Sequence, residues 1–169
     1  MRTLVILDDM NYPAGLRVCR RYSVRAVIMC DGLVAMLRSG REGFFKFPGG
    51  GIENGENELD TLRRETREEA GLVIREGSET ELGLVIEKRK SHFQNAVFEQ
   101  YSYYYFADAL PGLVPPQPEQ HEIDMEFSLV WVDPRDAQEV DLYYADHHPQ
   151  SRFLYREAYV LGYLADHHL

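Results

Sequence analysis

The chain has no long hydrophobic run. No stretch approaches the roughly 20 apolar residues that a membrane-spanning helix needs. A short apolar patch at residues 3–7 is interrupted by Asp8 and Asp9, and no small-residue cleavage site follows it. We therefore expect no membrane span, no signal peptide and no membrane partner.

Cysteine is also scarce, because Cys19 and Cys30 are the only two in the chain. Their spacing matches no metal site. A single disulfide is left open, but two free thiols are more typical of a protein from a reducing compartment. We therefore expect a cytoplasmic protein.

Basic residues are outnumbered by acidic ones. The chain has 18 lysines and arginines against 28 aspartates and glutamates, which gives a net charge of −10. Nucleic-acid binding depends on Lys and Arg side chains that neutralise phosphates, so the charge argues against a nucleic-acid partner. An acidic protein can still act on phosphates if it recruits metal cations.

The length of 169 residues allows one globular domain with a sizeable core. We predict an N-terminal extension over residues 1–16 and a single domain over residues 17–169. Residues 111–122 hold four of the eight prolines and predict a stiff loop. Alternating or β-branched segments predict strands, Asp31 and Gly32 predict a hairpin turn, and helical spacing predicts three helices. The predicted strands are 3–7, 21–30, 33–38, 81–89, 97–107 and 127–132, and the predicted helices are 57–70, 134–139 and 150–165.

The helix predicted at residues 57–70, with Asn57 and Gly71 as its caps, carries clustered carboxylates. Each helical residue advances by about 100°, so Glu65, Glu68 and Glu69 share one face. That face borders the buried stripe, whereas a purely solvated acidic face would lie opposite it.

Three glycines at residues 49–51 precede the helix and let the backbone turn sharply. Their carbonyls could add an oxygen ligand, and clustered oxygens suit Mg²⁺ or Mn²⁺. A solvated charged helix, with Arg64 paired to Glu68, is the alternative interpretation.

This stretch resembles the signature of the Nudix hydrolase family. The signature is Gly, five residues, Glu, seven residues, then Arg-Glu-aliphatic-any-Glu-Glu-any-Gly-aliphatic. Residues 50–72 read GGIENGENELDTLRRETREEAGL, with every fixed residue at the right spacing. Thr66 is the one departure, since an aliphatic residue is usual there. It lies on the buried stripe, so we expect it to affect helix packing more than chemistry.

The resemblance implies an α/β/α sandwich with a mixed, curved β-sheet. It also implies metal-dependent hydrolysis of a nucleoside diphosphate linked to another group, X. Arg64 and Glu56 would orient the metal-binding carboxylates. By similarity, the divalent ions, Mg²⁺ or Mn²⁺, would be held by Glu65, Glu68, Glu69 and the carbonyl oxygen of Gly49.

Several further residues are candidates for the reaction. The first choice for the catalytic base is Glu68 or Glu69, and acids around the proline-rich loop are alternatives: Glu119, Glu122 and Glu126. Glu122 is also a candidate metal ligand. Phosphate could be contacted by Arg25, Arg38, Lys46, Lys88 or Lys90, and Tyr103, with Tyr105 on the same strand face, could stack on a base. We expect the histidine pairs at 147–148 and 167–168 to be solvated.

The predicted substrate is a nucleoside triphosphate, cleaved to the monophosphate and pyrophosphate. A nucleotide sugar or a dinucleotide is the second reading, although no proline follows Gly71 by about fifteen residues, a mark of the family's ADP-ribose branch. A ligand sensor that has kept the fold and lost catalysis is a third, but no glutamate of the signature is missing. A homodimer built by the N-terminal extension and the C-terminal helix is left open.

Overall fold

The computed structural model describes residues 1–148 and 151–167. The helices within these residues are α1 (Glu58–Ala70), α2 (Gln120–Asp124), α3 (Pro134–His147) and α4 (Leu154–Asp166). The strands are β1 (Thr3–Asp8), β2 (Val18–Val27), β3 (Met29–Cys30), β4 (Leu33–Ser39), β5 (Phe45–Lys46), β6 (Thr80–Lys90), β7 (Val97–Phe106) and β8 (Phe127–Val132). None of these helices is long and apolar enough to cross a bilayer.

The strands form two sheets. The first has the order β1-β6-β7-β2, in which β1 is parallel to β6, β6 is antiparallel to β7, and β2 is parallel to β7. In the second sheet, β4 pairs antiparallel with β3, β5 and β8. The strand predicted over residues 21–30 is therefore two strands in two sheets. The break falls at Ile28, beyond which the chain leaves β7 and pairs with β4.

Helices cover the strands on both sides. Neighbouring strand residues point to opposite faces, and on β7 Tyr104 packs in the cluster that contains Leu161 and Leu164 of α4. Tyr105 packs in the other cluster, with Leu62 of α1. The α/β/α layering predicted from the resemblance is confirmed.

Helix α1 begins and ends at the predicted caps. The side chain of Asn57 accepts a hydrogen bond from the Asp60 amide, and Gly71 adopts a left-handed conformation with φ of 68°. Thr66 is fully buried, as its place on the apolar stripe predicts. These features are local, so they follow directly from residue type and spacing.

Two predictions about the C-terminal half were wrong in extent. Helix α3 runs to His147, well beyond the predicted end at 139, because its later residues Asp141 and Ala145 are buried in the tertiary structure. The end of the predicted proline-rich loop folds into α2. The predicted first residue of the last helix, 150, and His168 lie outside the described residues.

Candidate active site

A cleft of about 350 Å³ lies where the acidic face of α1 meets the glycine loop, residues 49–51. The start of α2 and the segment before it close one side, and two arginines of β2 close another. Eight of the residues predicted from the sequence line this cleft: Arg25, Lys46, Gly49, Glu65, Glu68, Glu69, Glu119 and Glu122.

The glycine loop is held against β2 by backbone hydrogen bonds. The amide of Val24 donates to the Gly50 carbonyl at 3.0 Å, and the amide of Ala26 donates to the Pro48 carbonyl at 2.9 Å. Gly49 has a φ of 137°, and a side chain there would collide with the Val24 carbonyl. At Gly50, a Cβ atom would collide with the Glu65 carboxylate. Glycine is therefore required at position 49, and a side chain at position 50 would displace the Glu65 carboxylate.

Lys46 joins two carboxylates from distant parts of the chain. Its ammonium lies 2.7 Å from Oε1 of Glu69 and 3.0 Å from Oε1 of Glu122. The other oxygen of Glu69 accepts a hydrogen bond from the Gly49 amide at 2.7 Å. Burial, together with the hydrogen bond to Glu122, raises the pKa of Glu69 to about 8. Although burial opposes it, the hydrogen bond with Glu69 and the charge of Lys46 lower the pKa of Glu122.

Arg64 organises the remaining carboxylates. Its Nε and Nη2 donate to the two oxygens of Glu56 at 2.7 and 2.8 Å, a bidentate pair. Its Nη1 donates to Glu65 at 2.9 Å and to Glu68 at 3.1 Å. The hydrogen bonds from Arg64 and from Thr61 lower the pKa of Glu56 to about 2. Arg64 and Glu56 thus occupy the positions from which they can orient the two α1 carboxylates.

Arg25 connects the glycine loop to the C-terminal helix. Its Nη1 donates to the carbonyl oxygen of Gly49. Its Nε has no hydrogen-bond partner among the described residues and lies 3.9 Å from Oε1 of Glu157. Glu157 is fully buried, accepts from the Phe47 amide at 3.1 Å, and is held by Arg156 at 2.7 Å. The carbonyl predicted to be a metal ligand is thereby fixed by a buried network of charges.

The donor set fits a hard divalent cation, because it consists of carboxylate and carbonyl oxygens. Across residues 1–148 and 151–167, however, no three acidic, histidine or cysteine side chains form a ready-made metal cluster. Each predicted ligand instead contacts a cationic side chain: Arg64, Lys46 or Arg25. For a metal ion to bind here, the carboxylates and the carbonyl must release these cationic side chains and turn to the ion.

Other candidates lie elsewhere. Arg38 is exposed on β4 and Tyr103 is half-buried on β7, and neither lines the cleft. Lys88 pairs with Glu99 on the first sheet, whereas Glu119 does line the cleft. The remaining candidates outside the cleft lining are Lys90, Tyr105, Glu126, His147 and His167, the last two stacked on tyrosines of their own helices.

Sequence reasoning missed Arg21 and Glu157. Arg21 lines the cleft from β2, and its spacing of four from Arg25 would have placed both on one strand face. Glu157 follows Arg156 on a helix whose neighbouring positions are apolar. A charged pair inside an apolar helical stripe was therefore the available sign of a buried network.

Comparison with known proteins relates the chain to one family. The profile of the NUDIX domain matches residues 20–155. A MutT NUDIX hydrolase from Burkholderia pseudomallei has a TM-score of 0.51 at 21% identity, with 69% of this chain and 85% of that chain covered. A NUDIX hydrolase from Nitrosomonas europaea has a TM-score of 0.55 at 17% identity, with 85% and 90% covered.

An ADP-ribose pyrophosphatase from Streptococcus suis has a TM-score of 0.50 at 17% identity, with 69% of this chain and 75% of that chain covered. No curated protein matches the chain. At these identities the structural likenesses establish a shared fold, and the profile match over most of the chain establishes the family.

Proposed function

Since the chain belongs to the Nudix hydrolase family and is a pyrophosphohydrolase, we propose that it hydrolyses a nucleoside diphosphate linked to X in a reaction that depends on Mg²⁺ or Mn²⁺. The substrate we propose first is a nucleoside triphosphate, converted to the monophosphate and pyrophosphate. The observation that carries the proposal is the meeting of acidic and basic side chains in one cleft. Glu65, Glu68 and Glu69 face the glycine loop there, beside Lys46 and Arg25.

The residues that would hold the cation are Glu65, Glu68, Glu69 and Glu122, with the carbonyl oxygen of Gly49. A bound divalent ion supplies charge neutralisation on the diphosphate and lowers the pKa of a bound water. Glu56 and Arg64 keep two of these carboxylates in position, a supporting role that commonly contributes 10- to 100-fold in metal affinity or activity.

Lys46 and Arg25 have a second role in this proposal. Once their carboxylate and carbonyl partners turn to the ion, both cations are free to contact phosphate oxygens. The bidentate geometry of the Arg25 guanidinium suits phosphate, and Lys46 acts as a compact point charge. The protein's net charge of −10 is compatible with this arrangement, because Lys46 and the two β2 arginines, Arg21 and Arg25, all line the cleft.

For the catalytic base we propose Glu68. Its side chain is 40% exposed, against 17% for Glu65 and 6% for Glu69, so it is the most accessible to an attacking water. Glu69 is buried between Lys46 and the Gly49 amide, which favours a ligand role. A base must lie within hydrogen-bonding reach of the proton it removes, and exposure to the cleft allows this.

The test is hydrolysis of a panel of nucleoside triphosphates, nucleotide sugars and dinucleoside polyphosphates, with Mg²⁺, with Mn²⁺ and with chelator. We expect metal-dependent turnover that Glu68→Gln and Glu69→Gln each reduce by at least about 100-fold. Glu139→Gln, an exposed glutamate on α3, is the matched control and keeps the parental rate. Circular dichroism confirms that each variant is folded.

Parental turnover in both cleft variants would overturn the assignment of the site. No turnover of any panel member with either metal would instead favour the ligand-sensor alternative, and selective turnover of sugars or dinucleotides would favour the second reading of the substrate. The cytoplasmic location and the homodimer remain predictions.

A further inference from the structure

A second cavity, of about 330 Å³, lies on the other side of Glu68 from the catalytic cleft. Its size is within the range of small-molecule pockets. Glu68 of α1 and Gln117 of the proline-rich loop line both cavities. The two cavities therefore lie next to each other, with these two residues between them. We call it the arginine cavity, after the three residues that α1 contributes to it: Arg63, Arg64 and Arg67.

The arrangement follows from the helical period. At about 100° per residue, Arg64, Arg67 and Arg63 follow one another around α1, beginning where the acidic face ends at Glu68. The same helix thus presents carboxylates to one cavity and guanidinium groups to the other. The proline-rich loop contributes Pro115 and Gln117 to the cavity that these arginines line.

The opposite wall is apolar and firmly held. Its apolar residues are Val73, Ile74 and Pro115, and the carboxylate of Glu76, which pairs with Arg63 at 3.7 Å, lines the cavity beside them. The amide of Gln117 donates to the Glu68 carbonyl at 2.7 Å, and the amide of Val114 donates to the Gly71 carbonyl at 2.9 Å. These bonds fix the proline-rich loop to the C-terminal end of α1, so the cavity has two defined walls.

The three arginines differ in how far their charge is already compensated. Arg63 is held by Glu79 at 2.6 Å, and Arg64 by the bidentate pair with Glu56. Arg67 is exposed and has no ion pair or side-chain hydrogen bond within residues 1–148 and 151–167. A guanidinium that is uncompensated by protein and faces an apolar wall is suited to a ligand with an anionic group on a flat apolar body.

We propose that the arginine cavity binds a nucleoside monophosphate unit, with its phosphate on Arg67 and its base against Val73 and Pro115. The unit is either the far half of a bound dinucleoside polyphosphate or a separate nucleotide that modulates hydrolysis. The first source, a dinucleoside polyphosphate substrate, rests on the proposed function, whereas binding of the nucleoside monophosphate unit does not.

Binding is tested by titrating adenosine 5′-monophosphate into the full-length protein in chelator, so that neither metal nor turnover contributes. We expect saturable binding that Arg67→Gln weakens by about tenfold or more, since a hydrogen-bonded ion pair to phosphate is lost. Arg41→Gln removes the same charge from an exposed loop residue outside the cavity and leaves the affinity unchanged. Adenosine without phosphate binds more weakly and equally to both variants.

Equal affinity of Arg67→Gln and the parent for adenosine monophosphate, or no binding at all, would overturn the proposal. The binding test does not depend on hydrolysis. Failure of the proposed function would appear as absent turnover in the substrate panel, and failure of this proposal would appear as unchanged or absent binding.

Kinetics then separate the two sources. If the unit belongs to the substrate, Arg67→Gln raises KM for diadenosine tetraphosphate at least about fivefold and leaves KM for adenosine triphosphate unchanged. If it is a separate nucleotide, added adenosine monophosphate changes triphosphate hydrolysis in the parent and has no such effect in Arg67→Gln.

Discussion

Asp141 is a fully buried carboxyl group outside the cleft that we propose as the active site, and it gives a sharp test of how burial shifts a pKa. Its Oδ1 accepts a hydrogen bond from the Phe45 amide at 2.8 Å, but its Oδ2 has no partner among the described residues. Burial raises the pKa of Asp141 from 3.8 to about 8, against the lowering effect of the Phe45 hydrogen bond, and the nearby charge of Glu157 adds to the increase.

The sign of the pH dependence follows from proton linkage. Between pH 3.8 and about pH 8 the folded protein keeps a proton on Asp141 that the unfolded chain has lost. The stabilising contribution of this proton is complete below the unfolded pKa, decreases as the pH rises, and is gone above the folded pKa. In that interval Asp141 lowers the free energy of unfolding by about 1.4 kcal/mol for each unit of pH.

Asp141→Asn removes the titration and keeps both the side-chain shape and the acceptor for Phe45. We expect the variant to become progressively more stable than the parent as the pH rises. From about pH 5.5 to about pH 7.5 the difference in unfolding free energy should grow by about 3 kcal/mol. Urea denaturation at a series of pH values measures it.

The comparison between variant and parent is needed because Glu69 has a raised pKa as well and titrates in both proteins. Glu139→Gln, which changes an exposed glutamate on the same helix, is the control variant. A pH-independent difference for Asp141→Asn would refute the assignment of a buried, protonated carboxyl group.

The remaining predictions concern the cleft and the end of α1. Gly50→Ala should displace the Glu65 carboxylate and reduce turnover at least about tenfold, whereas Gly51→Ala, whose nearest contact is 3.4 Å away, should remain active; equal rates would contradict this. Calorimetric titration should show Mn²⁺ affinity rising from about pH 6 to about pH 8, because Glu69 must lose its proton to bind metal; a flat profile would count against its ligand role. Gly71→Ala should lower the unfolding free energy by about 1–3 kcal/mol, since its φ of 68° disfavours a side chain, and an unchanged melting temperature would disprove it.

The local features of the fold were predictable. The turn at Asp31 and Gly32, both with positive φ, depends only on residues that tolerate that backbone. The caps of α1 at Asn57 and Gly71 are likewise set by neighbours within a few residues. In contrast, the split between β2 and β3 depends on which sheet offers a partner strand, and no local pattern records that choice.

The amino-acid sequence by itself determined the family, the α/β/α layering and the placement of Glu65, Glu68 and Glu69 on one helical face. The layering follows from the resemblance to the family, whereas the shared face rests on spacing, which the helical period converts into direction. Only the tertiary structure decided that Lys46 joins Glu69 to Glu122, 76 residues away, and that Glu157 of the last helix contacts Phe47, 110 residues earlier. Such contacts depend on how the layers pack, and the energy that selects the packing is spread over the whole core.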